Sequence, residues 1–151
     1  MSNMIPWLSR YMAAVQSMIA DEFDRALADT DLRGVQLLYL FCVCENPSLS
    51  QEGLSQQLGV NGSNVTRQLG ALERLGYISR RRNPEDGRQW LVEPTDRAYD
   101  LLPRMVEIMS DVQERLTRGM SYEEQELLSE LLDRLSKNAA RREAELRRKN
   151  R

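Results

Sequence analysis

Histidine is missing from all 151 residues. Its absence excludes serine and cysteine triads, histidine general bases and every His-containing metal site. Cysteine is nearly missing: Cys42 and Cys44 are the only two, too few for a four-thiolate zinc site within one chain. Two residues apart on a helix do not face each other, so these thiols are poorly placed to bond together. Long apolar runs are absent as well. The longest, Leu37–Cys44, falls far short of the ~20 residues that span a bilayer. The chain does not open on a basic segment followed by an unbroken apolar stretch, so it shows no secretory signal, calls for no membrane partner and reads as cytoplasmic. Lysine is scarce: 19 of the 21 basic residues are Arg, which grips phosphate as a planar fork. Enzymes built on carboxylates, Lys, Tyr or Ser remain chemically open. No residue pattern points to one, and no cofactor is called for.

The apolar and charged fractions, 41% and 29%, suit one folded domain rather than a disordered chain. Net charge is −2, which advertises no polyanion partner, but its distribution is uneven. Arg67, Arg74, Arg80, Arg81, Arg82 and Arg88 lie between Asn61 and Val92 against only Glu73, Glu85 and Asp86.

Apolar residues recur at steps of three and four from Met4 to Leu27, giving one stripe on a long helix. Leu32–Cys44 is apolar on nearly every side and predicts a central, buried helix, closed by Asn46-Pro47. Ser50 suits an N-cap, with a short helix running to Leu58-Gly59. Asn61 suits a second cap, with a helix to Leu75 and Gly76 at the position after it. Two short helices joined by Gly59-Val60-Asn61 make a helix-turn-helix. The period then changes. Tyr77–Arg82 and Arg88–Val92 predict strands around the turn Asn83-Pro84-Glu85-Asp86-Gly87, a β-hairpin that must pack on the helices. Thr95 is a cap candidate for a helix carrying Ala98 to Leu116, with Pro103 inside it expected to kink it near the Tyr99 carbonyl. Gly119 breaks the pattern, and Ser121 with Glu124 forms a capping box for a last helix. The charged tail from Arg141 to Arg151 is expected to fray.

On a helical wheel, Val65, Leu69 and Leu72 of the second short helix point one way. Ser63, Arg67, Gly70, Ala71 and Arg74 point the other, with Asn64 and Thr66 on the flanks. A face that is small, hydrogen-bonding and cationic suits a DNA major groove, and its N-terminus favours phosphate. Arginines on a rigid hairpin can enter the adjoining minor groove. Ser63, Asn64, Thr66 and Arg67 are thus candidates to read or anchor the major groove, and Ser50 and Gln51 to touch phosphate. Arg88, with Arg82, is the candidate for the minor groove or backbone.

The stretches Leu49-Ser50-Gln51-Glu52-Gly53-Leu54, Leu58-Gly59-Val60, Val65-Thr66-Arg67, Leu72-Glu73-Arg74-Leu75-Gly76-Tyr77-Ile78 and Asn83-Pro84-Glu85-Asp86-Gly87-Arg88 resemble the winged helix-turn-helix core of MarR-type transcriptional regulators. Asp86-Gly87-Arg88 is the most specific element. Gly53 and Pro94 depart from the pattern. The resemblance implies a mainly α fold with a small β-hairpin wing. Residues 32–95 would form the DNA-binding domain, and residues 1–31 and 96–151 a helical dimerisation region. It implies a homodimer that binds double-stranded DNA, usually as a repressor. It makes Arg67 the recognition-helix arginine, Arg88 the wing arginine, and Asp86 a structural acid that shapes the wing and holds Arg88. Many such proteins release DNA on binding a small aromatic or phenolic ligand, and others sense oxidants through a cysteine.

The dimer has independent support in the sequence, because the first and last helices carry stripes too long for a thin monomer to cover. A twofold dimer predicts a pseudo-palindromic operator with half-sites ~34 Å apart. Tyr11, Met12, Phe41, Met105 and Met109 are candidates to line an effector cleft, although Met and aromatic stripes at helical spacing more often fill a core. Two competing readings stay open: a winged-helix protein-interaction module without specific DNA binding, and a redox sensor using Cys42 or Cys44. No Lys or Arg adjoins either thiol in sequence to activate it.

Overall fold

The computed structural model describes residues 4–149. Among these, six helices and three short strands follow in the order α1 (Met4–Ala26), α2 (Gly34–Glu45), β1 (Leu49–Ser50), α3 (Gln51–Leu58), α4 (Gly62–Arg74), β2 (Ile78–Arg82), β3 (Trp90–Pro94), α5 (Asp96–Leu116) and α6 (Tyr122–Lys149). The class is mainly α with a small sheet, as the sequence predicts.

The apolar helix α2 sits at the centre, and α1, α3, α4, α5 and β3 all pack on it. Leu37, Leu40 and Val43 lose all contact with solvent, each such leucine contributing roughly 1.5–3 kcal/mol. The burial is not all-round, since Val35 and Leu38 face outward. α1 and α2 approach closely where they cross. The Gly34 N–H donates to Asp24 Oδ1 at 2.6 Å, and a β-carbon on Gly34 would stand 2.7 Å from Phe23 Cβ. Only glycine lets the backbones come so near.

The two short helices are stopped and started by local chemistry. Ser50 Oγ accepts the Gly53 N–H at 2.9 Å, and Asn61 Oδ1 accepts the Asn64 N–H at 2.8 Å. Gly59 takes the left-handed conformation that closes α3. Gly76, at φ +78°, closes α4 in a Schellman motif: its N–H bonds to the Glu73 carbonyl and the Tyr77 N–H to the Leu72 carbonyl, both at 3.0 Å. That motif uses the Tyr77 N–H, so β2 begins at Ile78 rather than at Tyr77.

The hairpin differs from expectation in two ways. Its second strand runs Trp90–Pro94, not Arg88–Val92. The Asn83 N–H bonds to the Gln89 carbonyl and the Gln89 N–H to the Asp86 carbonyl, which keeps Arg88 in the loop. The sheet also has a third strand, β1, and its order is β1-β3-β2, all antiparallel. Pro94 is tolerated because it stands at the very end of β3.

Thr95 takes the N-cap position of α5, but its side chain does not cap the helix. The hydroxyl lies 2.7 Å from the Gly76 carbonyl and 3.0 Å from that of Tyr77 as a donor, tying α5 to the end of α4. α5 runs unbroken through Pro103. Ser121 and Glu124 form the expected reciprocal box at the start of α6. α6 does not fray at Arg141 but continues to Lys149, and ion pairs Lys137–Asp133 and Arg142–Glu145 lie along it.

The core crosses the expected boundaries at 31/32 and 95/96: Phe23 and Leu27 of the α1 segment and Ala98 and Met105 of α5 belong to the same cluster as Leu37 and Leu69. Two arginines brace the same junction, Arg104 as a bidentate clamp and Arg97 through one bond to a carboxylate. Arg104 holds both Asp29 oxygens and the Ala26 carbonyl. Arg97 pairs with Asp31, whose other oxygen accepts the Tyr77 hydroxyl. By contrast, among the described residues α6 makes no substantial contact with any other element, and its Leu127, Leu131, Leu132 and Leu135 are exposed. The outer half of α1 is similar, with Trp7, Leu8, Tyr11, Met12 and Val15 exposed.

Candidate nucleic-acid interface

The candidate face is built from the start of α3, the outward side of α4 and the loop between β2 and β3. Val65, Leu69 and Leu72 of α4 are completely buried, which turns Ser63, Thr66, Arg67 and Arg74 outward. Arg67 Nη2 donates to Asn64 Oδ1 at 2.7 Å. Ser63 Oγ donates to Asn61 Oδ1 at 2.9 Å.

Two of the expected contact residues are engaged with each other. Gln51 Nε2 donates to Thr66 Oγ1 at 2.6 Å, and Thr66 donates in turn to the Gly62 carbonyl at 2.9 Å. This chain of bonds links the start of α3 to the first turns of α4. It leaves the Thr66 methyl and the Gln51 carbonyl oxygen for a partner. The Ser50 oxygen is occupied by its capping bond, and its proton remains to donate.

In the hairpin the four arginines separate into two groups. Arg80 binds Glu73 of α4 through Nε at 2.9 Å. Arg81 pairs with Glu93 at 3.1 Å. Arg82 donates to the Gly87 carbonyl at 3.0 Å and stacks on Trp90. These three stiffen the wing. The Arg88 side chain is exposed and has no hydrogen bond or ion pair among the described residues. Asp86 does hold Arg88, but by the backbone: its Oδ1 accepts the Arg88 N–H at 3.0 Å. The acid therefore shapes the turn and leaves the guanidinium free. Sequence reasoning missed Trp90 and Gln89. The sequence carried no signal for them, because Trp90 stands opposite Arg82 only in the observed register, with the strand starting two residues later than expected.

Between these parts lies an open cleft of about 360 Å³. It is lined by Ser50, Gln51, Glu52, Ser55, Gly62 and Thr66 of the helix-turn-helix and by Arg88, Gln89 and Trp90 of the wing, so that one carboxylate, Glu52, shares it with Arg88. Capped helix N-termini, hydroxyls and a free cation converge there, an arrangement that suits a phosphate backbone.

The chain matches a family model described as MarR family over residues 33–90. The uncharacterized HTH-type transcriptional regulator YybA of Bacillus subtilis (strain 168) is 33% identical over 116 residues, 75% of each protein. This chain belongs to the MarR family. Membership makes it a transcriptional regulator with a winged DNA-binding helix-turn-helix, and not an enzyme. Solved MarR structures share the fold. A MarR protein from Peptoclostridium difficile has a TM-score of 0.87 at 21% identity, covering 97% of this chain and 95% of the other. A MarR-family transcriptional regulator from Listeria monocytogenes, solved with a 26mer DNA, has a TM-score of 0.82 at 22% identity, covering 98% and 96%.

The expected effector residues are scattered by environment. Met105 is fully buried in the core and presents no surface to a ligand. Phe41 and Met109 are half-buried, while Tyr11 and Met12 are exposed on α1. Cys42 and Cys44 are both buried, and burial pushes each thiol up to about 11. The thiolate that oxidants attack is therefore scarce at neutral pH. No helix among the described residues is long and apolar enough to cross a membrane.

Proposed function

We propose that this MarR-family chain acts as a homodimeric repressor on a pseudo-palindromic operator in double-stranded DNA. The observation that carries the reading is the pairing of two exposed cationic elements: Arg67 on the outward face of α4, and Arg88 on the wing loop with no side-chain partner among the described residues. The α4 face is the major-groove reader, and Arg88 enters the minor groove or grips the backbone beside it. Ser63, Asn64 and Thr66 read or anchor the major groove with Arg67, and Ser50 and Gln51 touch phosphate. The DNA complex of the Listeria relative supports this docking by analogy of fold.

The dimer rests on apolar faces that one chain leaves uncovered. α6 and the outer half of α1 expose rows of leucine, tryptophan, tyrosine and methionine. A second copy would bury them by twofold symmetry and present two α4 helices to grooves one turn apart, ~34 Å. Release by a small aromatic effector is the last part of the reading. Tyr11, Met12, Phe41 and Met109 offer it apolar surface, and Met105 drops out because it is core.

Selection of bound sequences from random duplex DNA tests the reading, followed by a salt titration on the selected site. An inverted repeat and a steep linear fall of log K with log salt are expected. Failure to enrich any sequence, with weak salt dependence, would favour a protein-interaction module. Transcription from a promoter carrying the selected site gives the sign of regulation, and a panel of small aromatics tests release.

A further inference from the structure

The wing contains a clamp on one peptide group. Arg82 and Trp90 are the last paired residues of the β2–β3 ladder. The Arg82 guanidinium carbon lies 4.1 Å from the centre of the Trp90 ring, a cation–π stack. Its Nη1 donates to the Gly87 carbonyl at 3.0 Å. The N–H of the same Gly87–Arg88 peptide is held from the other end by Asp86 Oδ1, at 3.0 Å. Both polar atoms of that peptide are therefore fixed by side chains. Open space surrounds Gly87, and glycine restrains its own backbone least of all residues. The orientation of this peptide sets the direction in which the Arg88 side chain leaves the chain.

We propose that Arg82 is a positioning residue: stacked on Trp90, it locks the Gly87–Arg88 peptide and so aims Arg88 at DNA, without contacting DNA itself. This rests on the DNA-binding reading above. Arginine suits the role because a flat guanidinium can lie on the indole while its edge donates to a carbonyl. Order present before binding spares Arg88 part of the entropy it would lose on the duplex.

The test is a double-mutant cycle on the selected operator with the full chain. Arg82→Gln alone is expected to weaken binding about tenfold. In an Arg88→Ala background it should weaken binding no further and leave the salt slope where Arg88→Ala sets it. Trp90→Phe, which keeps an aromatic face, should bind close to the wild type, while Trp90→Ala should fall to the level of Arg82→Gln. In the free protein, the Arg88 amide should exchange with solvent faster in Arg82→Gln than in the wild type. A loss that adds in full to that of Arg88→Ala, with the salt slope falling by about one more, overturns the proposal, because Arg82 then reaches phosphate itself. Unchanged affinity in Arg82→Gln alongside a loss in Arg88→Ala overturns it too, and leaves the DNA-binding reading intact. Full affinity in Arg88→Ala instead removes the wing from DNA binding, and the proposal falls with it.

Discussion

Arg67 reaches back along α4 to Asn64, its Nη2 donating to the amide oxygen at 2.7 Å. The guanidinium on the outward face of α4 is thus held in the free protein, and its other N–H groups have no partner among the described residues. Arg67→Ala should weaken operator binding by about 1–3 kcal/mol, roughly five- to 150-fold. Because Arg67 is exposed, unfolding stability should move by less than about 0.5 kcal/mol. Asn64→Ala should cost less affinity and blur discrimination between the operator and single-base variants. Anisotropy titrations on both duplexes measure this, and an Arg67→Ala protein that binds at full strength refutes the docking.

Gly34 sets how closely α1 and α2 cross. A methyl there would meet Phe23 Cβ at 2.7 Å and the Asp24 nitrogen at 2.9 Å. Neither can swing away like the end of a flexible side chain. Gly34→Ala should destabilise the fold by about 1–3 kcal/mol despite its better helix propensity. Urea unfolding checks the sign. Stabilisation would mean that the crossing opens without cost.

The helix-turn-helix was legible because its determinants act within one turn. Ser50, Asn61 and Gly76 each bond to backbone groups within four residues. The face of α4 was legible for the same reason, since a wheel needs only the period. Strand β1 was not. Leu49 and Ser50 pair with Val92 and Leu91, more than forty residues on, and in sequence they look like a loop before a cap. Thr95 reads as a cap, yet its hydroxyl is taken by carbonyls at Gly76 and Tyr77 that only the fold brings near. The four wing arginines look alike as a string. Glu73, Glu93 and Trp90, on other elements, decide which of them are occupied.

The cysteines give a prediction with a definite sign. Burial raises the Cys42 and Cys44 thiols from 9.0 to about 11 in the folded chain. A raised pKa contributes stability that is fully present below the unfolded value and is lost as pH climbs from about 9 towards 11. Alkylation by iodoacetamide in native buffer at pH 8 should be far slower than in denaturant at the same pH. Stability in urea should decline above pH 9, and less so in a Cys42→Ala/Cys44→Ala chain. Rapid native alkylation at pH 8 would restore the redox reading.

The α6 leucines decide whether two copies are needed. Leu131 and Leu135 are 49% and 37% exposed and lie one turn apart on a helix that its own chain barely touches. Glutamate at both positions removes apolar surface and places like charges against themselves across a twofold axis. Leu131→Glu/Leu135→Glu should therefore sediment as a monomer. A cooperative thermal transition should persist, because neither residue belongs to the core around α2. Affinity for a full inverted repeat should drop a hundredfold or more, since the second half-site loses its effective concentration advantage (about 10²–10⁴ for linked sites). Affinity for an isolated half-site should stay close to that of the wild type. A variant that remains dimeric would move the interface to the α1 row of Trp7, Tyr11 and Val15. One that is monomeric yet binds the full repeat at wild-type strength would show that each subunit recognises DNA alone.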